Sequence, residues 1–262
     1  MHISLKGKRA LVGGSSSGIG KAIAMALAAC GAEVVLMARN EDKLRAVLKE
    51  LDVANSQHHS YLLTDFNDYD THKEKMSHFF ANDNVDILVN NTNGPSAGNL
   101  FSKEEQDYQQ AFELLFQNAV FTTSLAIPYM QDQKFGRVIN VSSMTVKEPS
   151  ETLILSNTMR TALASWSKSL ATEVAKHNIT VNSVLTGFFD TDRLNALMKL
   201  QAERQDMSFA DVKKARISSI PMRRLGRPEE YGNLVAFLAS EQASFLTGAA
   251  IPLDGGSSTA FL

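Results

Sequence analysis

Cysteine, proline and net charge are all scarce in this 262-residue chain. It contains one cysteine, Cys30, and six prolines, and its formal net charge is -2. A single cysteine excludes an internal disulfide framework and is typical of a reducing compartment. A charge so close to zero gives no support for a nucleic acid or an anionic membrane as partner. We therefore expect a cytoplasmic protein without either kind of partner.

Long apolar runs and metal-binding patterns are missing as well. The apolar run Ala22 to Cys30 is too short to span a bilayer, and no hydrophobic signal core precedes it. The six histidines show no metal-ligand spacing, so no metal site is expected. The composition is otherwise ordinary, with 44% hydrophobic and 21% charged residues, as in a globular protein with a sizeable core.

Short β-type runs alternate with segments of helical periodicity along the chain. The strand-like runs are residues 10–12, 33–37, 61–63, 85–89, 137–141, 179–185 and 249–253. Ser102 and Glu105 have the spacing of a capping box at the start of a long helix. This alternation predicts an α/β fold of Rossmann type, in which helices flank a doubly wound parallel sheet. No linker-like stretch interrupts it, so we expect a single domain over residues 1–262.

A glycine-rich turn between the first strand and the first helix is the central motif. It reads Gly-Gly-Ser-Ser-Ser-Gly-Ile-Gly over residues 13–20. Backbone N–H groups and the helix dipole at such a turn favour a phosphate, and glycine allows a close approach that a Cβ would block. An ordinary βα turn is the alternative, because the spacing differs from the usual dinucleotide pattern. The expected phosphate-binding residues are Gly14, Ser16, Ser17, Gly18, Ile19 and Gly20.

Further motifs follow the glycine turn in a fixed order. They are Asn90-Asn91, Asn118, Val141-Ser142-Ser143, Ile179 to Asn182 with Gly187 and Thr191, Arg224 to Glu229, and Leu253 to Gly256. With them the chain resembles the short-chain dehydrogenase/reductase family over nearly its whole length, nearest in pattern to 3-oxoacyl-thioester reductases. The resemblance implies a nicotinamide cofactor, and it places Asn91, Gly187 and Thr191 at that cofactor.

The residues after the second and third strands bear on which nicotinamide cofactor is used. An acidic residue after the second strand would bind a ribose 2′-hydroxyl, whereas an arginine accommodates a 2′-phosphate. The chain has Arg39 and Asn40 there, which predicts NADP; a solvated loop arginine is the alternative. Asp65 and Phe66 resemble the pair that brackets the adenine in the family, although Asp65 also suits a turn.

The resemblance breaks at the catalytic pair. The family has a tyrosine thirteen residues after the serine that matches Ser143, and a lysine four residues later; these positions hold Ser156 and Arg160. No tyrosine lies between Tyr129 and Tyr231. An alkyl hydroxyl is a much weaker acid than a phenol of pKa about 10. Arg160 stays charged, and it can bind ribose or a substrate carboxylate. The expected catalytic residues are Ser143, Asn118, Ser156 and Arg160.

Three functions are compatible with this altered pair. The first is an NADP-dependent carbonyl or alcohol oxidoreductase in which Ser143 polarises the carbonyl and a water held through Asn118 supplies the proton. Lys147 and Glu148 are the nearby titratable groups, and solvated loop charges are their simpler interpretation. The second is a non-catalytic NADP-binding protein. The third is different chemistry on the same fold, with a substrate that carries its own acid.

Two more expectations come from the resemblance. Residues 192–220 carry an apolar helical pattern that resembles the family's substrate-covering helices, and a plain surface helical pair is the alternative. The family also implies a homotetramer or dimer built on the helices that contain Asn118 and Arg160. Asn93 and Thr186 depart from the family pattern and change the expected shape of the site.

Overall fold

Seven parallel strands form the centre of the structure, a computed structural model that describes residues 3–260. The strands are β1 Arg9–Gly13, β2 Glu33–Ala38, β3 Ser60–Leu63, β4 Ile87–Asn90, β5 Gly136–Ser143, β6 Ile179–Thr186 and β7 Ala250–Leu253. Their order in the sheet is β3-β2-β1-β4-β5-β6-β7, and every pairing is parallel. The structure confirms the predicted single-domain, doubly wound α/β fold.

Helices cover both faces of the sheet. They are α1 Gly18–Ala29, α2 Glu41–Glu50, α3 Tyr69–Asn82, α4 Glu105–Phe112, α5 Asn118–Gln133, α6 Ile154–Val174, α7 Asp192–Gln205, α8 Phe209–Ser218 and α9 Pro228–Ala239. Apolar side chains of α1, α2 and α9 belong to one core, and those of α3, α5 and α6 belong to a second. The two cores lie on opposite faces of the sheet.

Alternation along β1 shows how the strands build both cores. Ala10 and Val12 pack in the core of α1, α2 and α9, whereas Leu11 between them packs in the other. Successive side chains of a strand point to opposite faces, and here both faces are covered. For this reason β1 is a continuous apolar run instead of an alternation of apolar and polar residues.

The strand order reverses at β1, which lies between β2 and β4. In open α/β sheets ligands bind at such a switch point, in the crevice outside the carboxyl ends of the strands. The glycine turn follows β1, and the segments that begin at Asn91 and Met144 follow β4 and β5 at the same edge. The fold therefore brings the sequence motifs to one edge of the sheet.

The predicted capping box at Ser102 and Glu105 is wrong. Ser102 ends a short 3₁₀ turn, where its hydroxyl accepts a hydrogen bond from the Asn99 N–H at 3.0 Å. Helix α4 begins at Glu105, and the Glu104 N–H donates to the Asp107 carboxylate at 3.0 Å. Several polar residues here share the three-residue offset of a capping box, and spacing alone does not select among them.

Helices α7 and α8 form a small core of their own, separate from the two sheet cores. Met198 and Ala202 of α7 pack with Val212 of α8. Leu197 and Leu200 stay exposed. Within residues 3–260, no helix combines the length and apolar character that a membrane crossing needs.

Candidate active site

The glycine turn packs against the segment after β4 with no side chain of its own in between. Gly14 has φ +57° and Gly18 has φ +54°, in the left-handed region that favours glycine. A Cβ on Gly14 would lie 2.7 Å from Asn91 Nδ2, and one on Gly20 would meet the Gly14 carbonyl oxygen. Asn91 Nδ2 donates to the Gly13 carbonyl at 2.9 Å. The glycines are therefore required for this close approach.

The N-terminus of α1 is open at the glycine turn. Ser17 is the N-cap residue, but its side chain accepts no capping hydrogen bond, and the first turn carries no acidic residue. The Thr191 methyl lies 3.4 Å from where a Cβ on Gly18 would stand. Ser16 and Ile19 are half-buried beside it. Free backbone N–H groups at a helix N-terminus form an anion site, so the turn is suited to a phosphate.

Ser15 is a residue of this turn that the sequence interpretation missed. It is completely buried, and its hydroxyl accepts a hydrogen bond from the Met37 N–H at 2.9 Å. The Ser15 N–H in turn donates to the Met37 carbonyl at 3.3 Å. These bonds fix the turn to β2, and the sequence carries no signal that separates Ser15 from Ser16 and Ser17.

Arg39 extends from the end of β2 into solvent. Its guanidinium Nη1 lies 3.8 Å from Asp65 Oδ2 after β3, and both side chains are largely exposed. Asp65 Oδ1 also accepts the Asn67 N–H at 3.0 Å, so the turn role considered for Asp65 is present. Asn40, placed at the cofactor by the sequence, caps α2 by accepting the Lys43 N–H at 2.9 Å.

Phe66, which with Asp65 resembles the pair that brackets the adenine in the family, does not expose its ring to solvent. Phe66 is buried in the core below α3 and α5, with its ring 5.3 Å from the His72 ring. Its carbonyl accepts a hydrogen bond from Asn118 Nδ2 at 2.8 Å. A large apolar ring is more stable inside than beside solvent. What Phe66 presents near the cleft is backbone.

Asn118 lies at a defect in the helix that precedes it. A π-helical stretch, Glu113–Gln117, separates α4 from α5, and Asn118 is the first residue of α5. Such stretches occur frequently at functional sites. Asn118 Oδ1 is buried and has no hydrogen-bond partner within residues 3–260. A cavity of about 20 Å³ lies between Asn118 and Arg160, which is room for one water molecule.

Ser143 ends β5, and its hydroxyl donates no hydrogen bond within residues 3–260. Its Oγ accepts two hydrogen bonds from Thr145, one from the N–H at 3.2 Å and one from the hydroxyl at 3.1 Å. A serine that accepts from its neighbours still has its own O–H to donate. The geometry therefore suits donation to a carbonyl oxygen.

Arg160 and Ser156 contact one another on a single face of α6. Arg160 Nε donates to Ser156 Oγ at 3.2 Å, and Nη1 donates to the Val141 carbonyl at 2.8 Å. Burial lowers the pKa of the Arg160 guanidinium to about 10, and the nearby charge of Arg193 acts in the same direction. The group is still cationic at neutral pH, so it donates hydrogen bonds but does not relay protons.

The tertiary fold brings a distant tyrosine to the end of β6. Tyr231 of α9 is completely buried, and its hydroxyl contacts Thr186 Oγ1 at 3.1 Å and the Val184 carbonyl at 3.2 Å. Burial raises the pKa of the Tyr231 phenol. The phenol faces the core and is not exposed in the cleft, so it does not replace the tyrosine that is missing at Ser156.

Glu148 does not face the cleft as a free acid. Its Oε1 accepts hydrogen bonds from the side chain and N–H of Thr259, from Ser258 and from the Ala260 N–H, at 2.7 to 3.2 Å. These bonds, led by that of the Thr259 hydroxyl, lower the pKa of the carboxylate. Glu148 holds the C-terminal segment and is removed from the candidate proton donors, whereas Lys147 is half-buried beside it.

The remaining predicted residues differ in what they contact, and only some of them lie against the glycine turn. Thr191 caps α7 by accepting the Leu194 N–H at 3.2 Å, and it lies against the glycine turn. Gly187 has a packing role, since a Cβ there would lie 2.5 Å from the Asp254 Cα. Asn93 is exposed. Asn40 and Gly187 thus have structural contacts of their own.

Comparison with known proteins shows that this chain is similar to several reductases. A family model described as Enoyl-(Acyl carrier protein) reductase matches residues 14–258. NADPH-dependent reductase BacG of Bacillus subtilis (strain 168) is 32% identical over 252 residues, 95% of this chain and 97% of that protein. The 3-oxoacyl-[acyl-carrier-protein] reductase FabG of Aquifex aeolicus (strain VF5) is 32% identical over 260 residues, 98% of this chain and 99% of that protein.

A solved structure agrees with these relatives. L-Sorbose reductase from Gluconobacter frateurii, complexed with NADPH and L-sorbose, matches at a TM-score of 0.90 and 30% identity, covering 98% of each chain. The family match, the strand order and the glycine turn at the switch point all lead to one assignment. The chain belongs to the short-chain dehydrogenase/reductase family.

Proposed function

We infer that the protein is an NADP-dependent oxidoreductase that transfers a hydride between the nicotinamide and a carbonyl or alcohol substrate. One observation carries this proposal: the open N-terminus of α1 lies at the same sheet edge as the exposed Arg39. The first suits a pyrophosphate and the second a 2′-phosphate. The relatives support it, since BacG is an NADPH-dependent reductase and L-sorbose reductase was solved with NADPH.

The residues at the cleft fit this cofactor, because a Cβ at Gly14 or Gly20 would fill the space that a pyrophosphate approaches. The proposed cofactor residues are Gly14, Ser16, Ser17, Gly18, Ile19, Gly20, Arg39, Asn40, Asp65, Asn91, Gly187 and Thr191, with the Phe66 backbone at the adenine. Arg160, whose Nε and Nη1 already donate within the chain, binds either the ribose or a substrate carboxylate through Nη2. When bound, NADPH would supply the hydride.

The chain's own contribution to catalysis is to polarise a carbonyl oxygen. Ser143 has a free O–H for this purpose, and Arg160 has donors that stay charged. Ser156 accepts from Arg160 and is too weak an acid to match a phenol. We assign the proton to a water in the cavity beside Asn118, whose Oδ1 is available as an acceptor. In the proposed catalytic set, Asn118 orients the water and Ser156 orients Arg160, whereas Ser143 and Arg160 contact the substrate.

The substrate class follows from the relatives and the covering helices. FabG of Aquifex aeolicus is a 3-oxoacyl-[acyl-carrier-protein] reductase, which makes 3-oxoacyl thioesters the first candidates. Residues 192–220, with α7 and α8, are proposed to cover the substrate. Their separate core supports a unit that shifts without disturbing the sheet.

A non-catalytic NADP-binding protein is the second candidate. The observation that favours it is the Ser156–Arg160 pair, which lacks a side chain that titrates near neutrality. This alternative keeps the cofactor site and loses turnover.

The proposal includes a homotetramer or dimer in the cytoplasm. Met159, Trp166 and Leu170 of α6 are half-buried, and the Trp166 ring lies 6.4 Å from Phe116. A partner copy would bury this aromatic face further. One cysteine, Cys30, half-buried and unpaired, supports a reducing compartment.

Nucleotide titration followed by turnover assays tests the proposal. We expect NADPH to bind more tightly than NADH, and Arg39→Ala to weaken NADPH binding by about 10- to 100-fold, as for a lost charge-assisted hydrogen bond. The matched control is Arg45→Ala, an exposed arginine on α2 that pairs with Glu41. A preference for NADH would contradict the cofactor assignment. NADPH binding without oxidation across ketones and acetoacetyl thioesters would select the non-catalytic alternative.

A further inference from the structure

Two arginines approach the same point at the edge of the cleft, beside Gly94. A methyl group built on Gly94 would lie 2.9 Å from Arg193 Nη2 and 3.9 Å from Arg160 Nη2. Arg193 Nη2 also donates to the Gly94 carbonyl at 3.3 Å. Because Gly94 has no side chain, the Arg193 guanidinium lies close against its backbone, and Arg160 Nη2 approaches the same side of this residue.

Among the residues that the structure describes, no carboxylate pairs with either of these two charges. Within residues 3–260, no ion pair involves Arg160 or Arg193. Burial lowers the pKa of both guanidinium groups, and the charge of Arg193 lowers the pKa of Arg160 further. The Tyr231 phenol is near Arg160, but burial raises its pKa and it is neutral. Two like charges in a partly desolvated site repel each other, and a bound anion would offset this repulsion.

Arg160 is also held in place for binding. Its Nε and Nη1 are occupied by Ser156 and the Val141 carbonyl, and Nη2 makes no hydrogen bond to the part of the chain that the structure describes. Arg193 lies in the first turn of α7, after the Thr191 cap. A planar guanidinium fixed in this way presents its free edge with little entropy left to lose.

We propose that Arg160 and Arg193 form an oxyanion site, and that the substrate carries a carboxylate or phosphate group bound there. This rests on the proposed function and narrows its carbonyl or alcohol substrate to a small keto acid or hydroxy acid, in place of the 3-oxoacyl thioesters that the relatives suggest. Val141 precedes Ser143 by two residues on β5, a distance of about 7 Å along a strand. A small molecule spans this distance, with its anion at the arginines and its carbonyl at Ser143.

The cofactor is a second source of an oxyanion, because Arg193 follows Thr191 and Thr191 lies against the glycine turn. Its pyrophosphate and a substrate carboxylate share the same chemistry. The experiment must therefore measure nucleotide and acid binding separately.

Calorimetric titration of the full chain saturated with NADP⁺ tests the proposal with acetoacetate, its methyl ester and inorganic phosphate as probes. We expect acetoacetate to bind at least about tenfold more tightly than the ester, and phosphate to compete with it. Arg160→Gln and Arg193→Gln should each weaken acetoacetate binding by about 10- to 100-fold and ester binding by less than about threefold. The control is Arg204→Gln, an exposed arginine on the same helix as Arg193; it should change neither value.

Three results would overturn the oxyanion site. They are equal binding of acid and ester, acid binding that survives both substitutions, and a loss in both variants confined to NADPH affinity, which would assign the arginines to the cofactor. Arg160→Lys keeps the charge and should retain part of the preference, which covers the case where Arg160→Gln does not fold. Failure of the proposed function is a different result: the unsubstituted protein would not bind NADPH, while acetoacetate titration without nucleotide still reports on the site.

Discussion

Ser156 and Arg160 show how two substitutions change what one turn of helix can do. Their mutual hydrogen bond and the bond from Arg160 to the Val141 carbonyl hold both side chains beside the end of β5. Neither side chain titrates near neutral pH, so neither is suited to move a proton. The site is thus built to bind and polarise, and its proton has to come from water or substrate.

Restoring the family pair tests this interpretation. The double variant Ser156→Tyr with Arg160→Lys should raise the rate of NADPH oxidation with acetoacetyl thioesters by about 10- to 100-fold, at or below the lower end of the roughly 10²–10⁴-fold that a general acid usually contributes. The measurement is the initial rate at saturating NADPH. Ser156→Phe with Arg160→Lys is the control, because it supplies the ring without the hydroxyl. An unchanged rate in a folded double variant would count against the proton argument.

Tyr231 is expected to matter for stability and not for turnover. Tyr231→Phe removes the hydrogen bonds to Thr186 and to the Val184 carbonyl, which should cost about 1–2 kcal/mol of unfolding free energy. The kcat should stay within about twofold, since the phenol is buried away from the cleft. Denaturant unfolding and steady-state rates measure the two effects.

A double-mutant cycle with Thr186→Val is the control for Tyr231→Phe. Each single variant removes the hydrogen bond between Thr186 and Tyr231, so the two losses should not add. A large fall in kcat with unchanged stability would instead give Tyr231 a direct role.

At the scale of elements, the turn between β1 and α1 depends on glycine for two separate reasons. Gly14 has a positive φ, and a Cβ there would also press on Asn91. Gly7 has a positive φ of +76° with nothing within 4 Å of a built Cβ. The two positions therefore separate backbone strain from steric contact.

Alanine at these two glycines is predicted to have unequal effects. Gly7→Ala should lower the unfolding free energy by about 1 kcal/mol through backbone conformation alone. Gly14→Ala should cost about 1–3 kcal/mol more, because Asn91 must shift. It should also weaken NADPH binding by at least about tenfold, whereas Gly7→Ala should not. Thermal melts and nucleotide titration provide the measurements; equal losses in both variants would contradict the contact with Asn91.

At the scale of the whole molecule, a buried histidine ties stability to pH. His72 of α3 is completely buried, with its ring nitrogens 3.3 Å from Thr64 Oγ1 and 3.1 Å from Thr122 Oγ1. Burial lowers the pKa of His72 from 6.5 to about 4. The ring thereby links the end of β3 to α5 in its neutral form.

The pH dependence of unfolding should report this histidine. The unfolded chain binds the proton at higher pH than the folded one, so stability is complete above pH 6.5 and falls as pH drops towards 4. By pH 5 the loss from this group is about 2 kcal/mol. Urea unfolding at pH 7.5 and 5 measures it, and His72→Gln should remove this component.

His58→Gln is the control for that experiment. His58 is exposed, so its replacement leaves the buried imidazole in place and should keep the full difference between the two pH values. If His72→Gln keeps the same difference, another group is responsible.

Local pattern in the sequence was sufficient for the alternation of strands and helices, the glycine turn and the order of the motifs. Each of these depends on residues close together in the chain, such as the spacing of Gly14, Gly18 and Gly20, or the apolar run of β1. The same reasoning failed at Ser102, where several polar residues share one offset. The roles predicted for Ser143, Asn118 and Arg160 remain predictions.

Tertiary packing decided which distant groups meet. It placed Tyr231 on Thr186, the C-terminal residues on Glu148 and Arg193 beside Arg160, at chain separations that no local pattern covers. It also turned the Phe66 ring into the core. The physical reason is that burial and charge depend on every neighbour in space, whereas periodicity and turn chemistry depend only on neighbours in sequence.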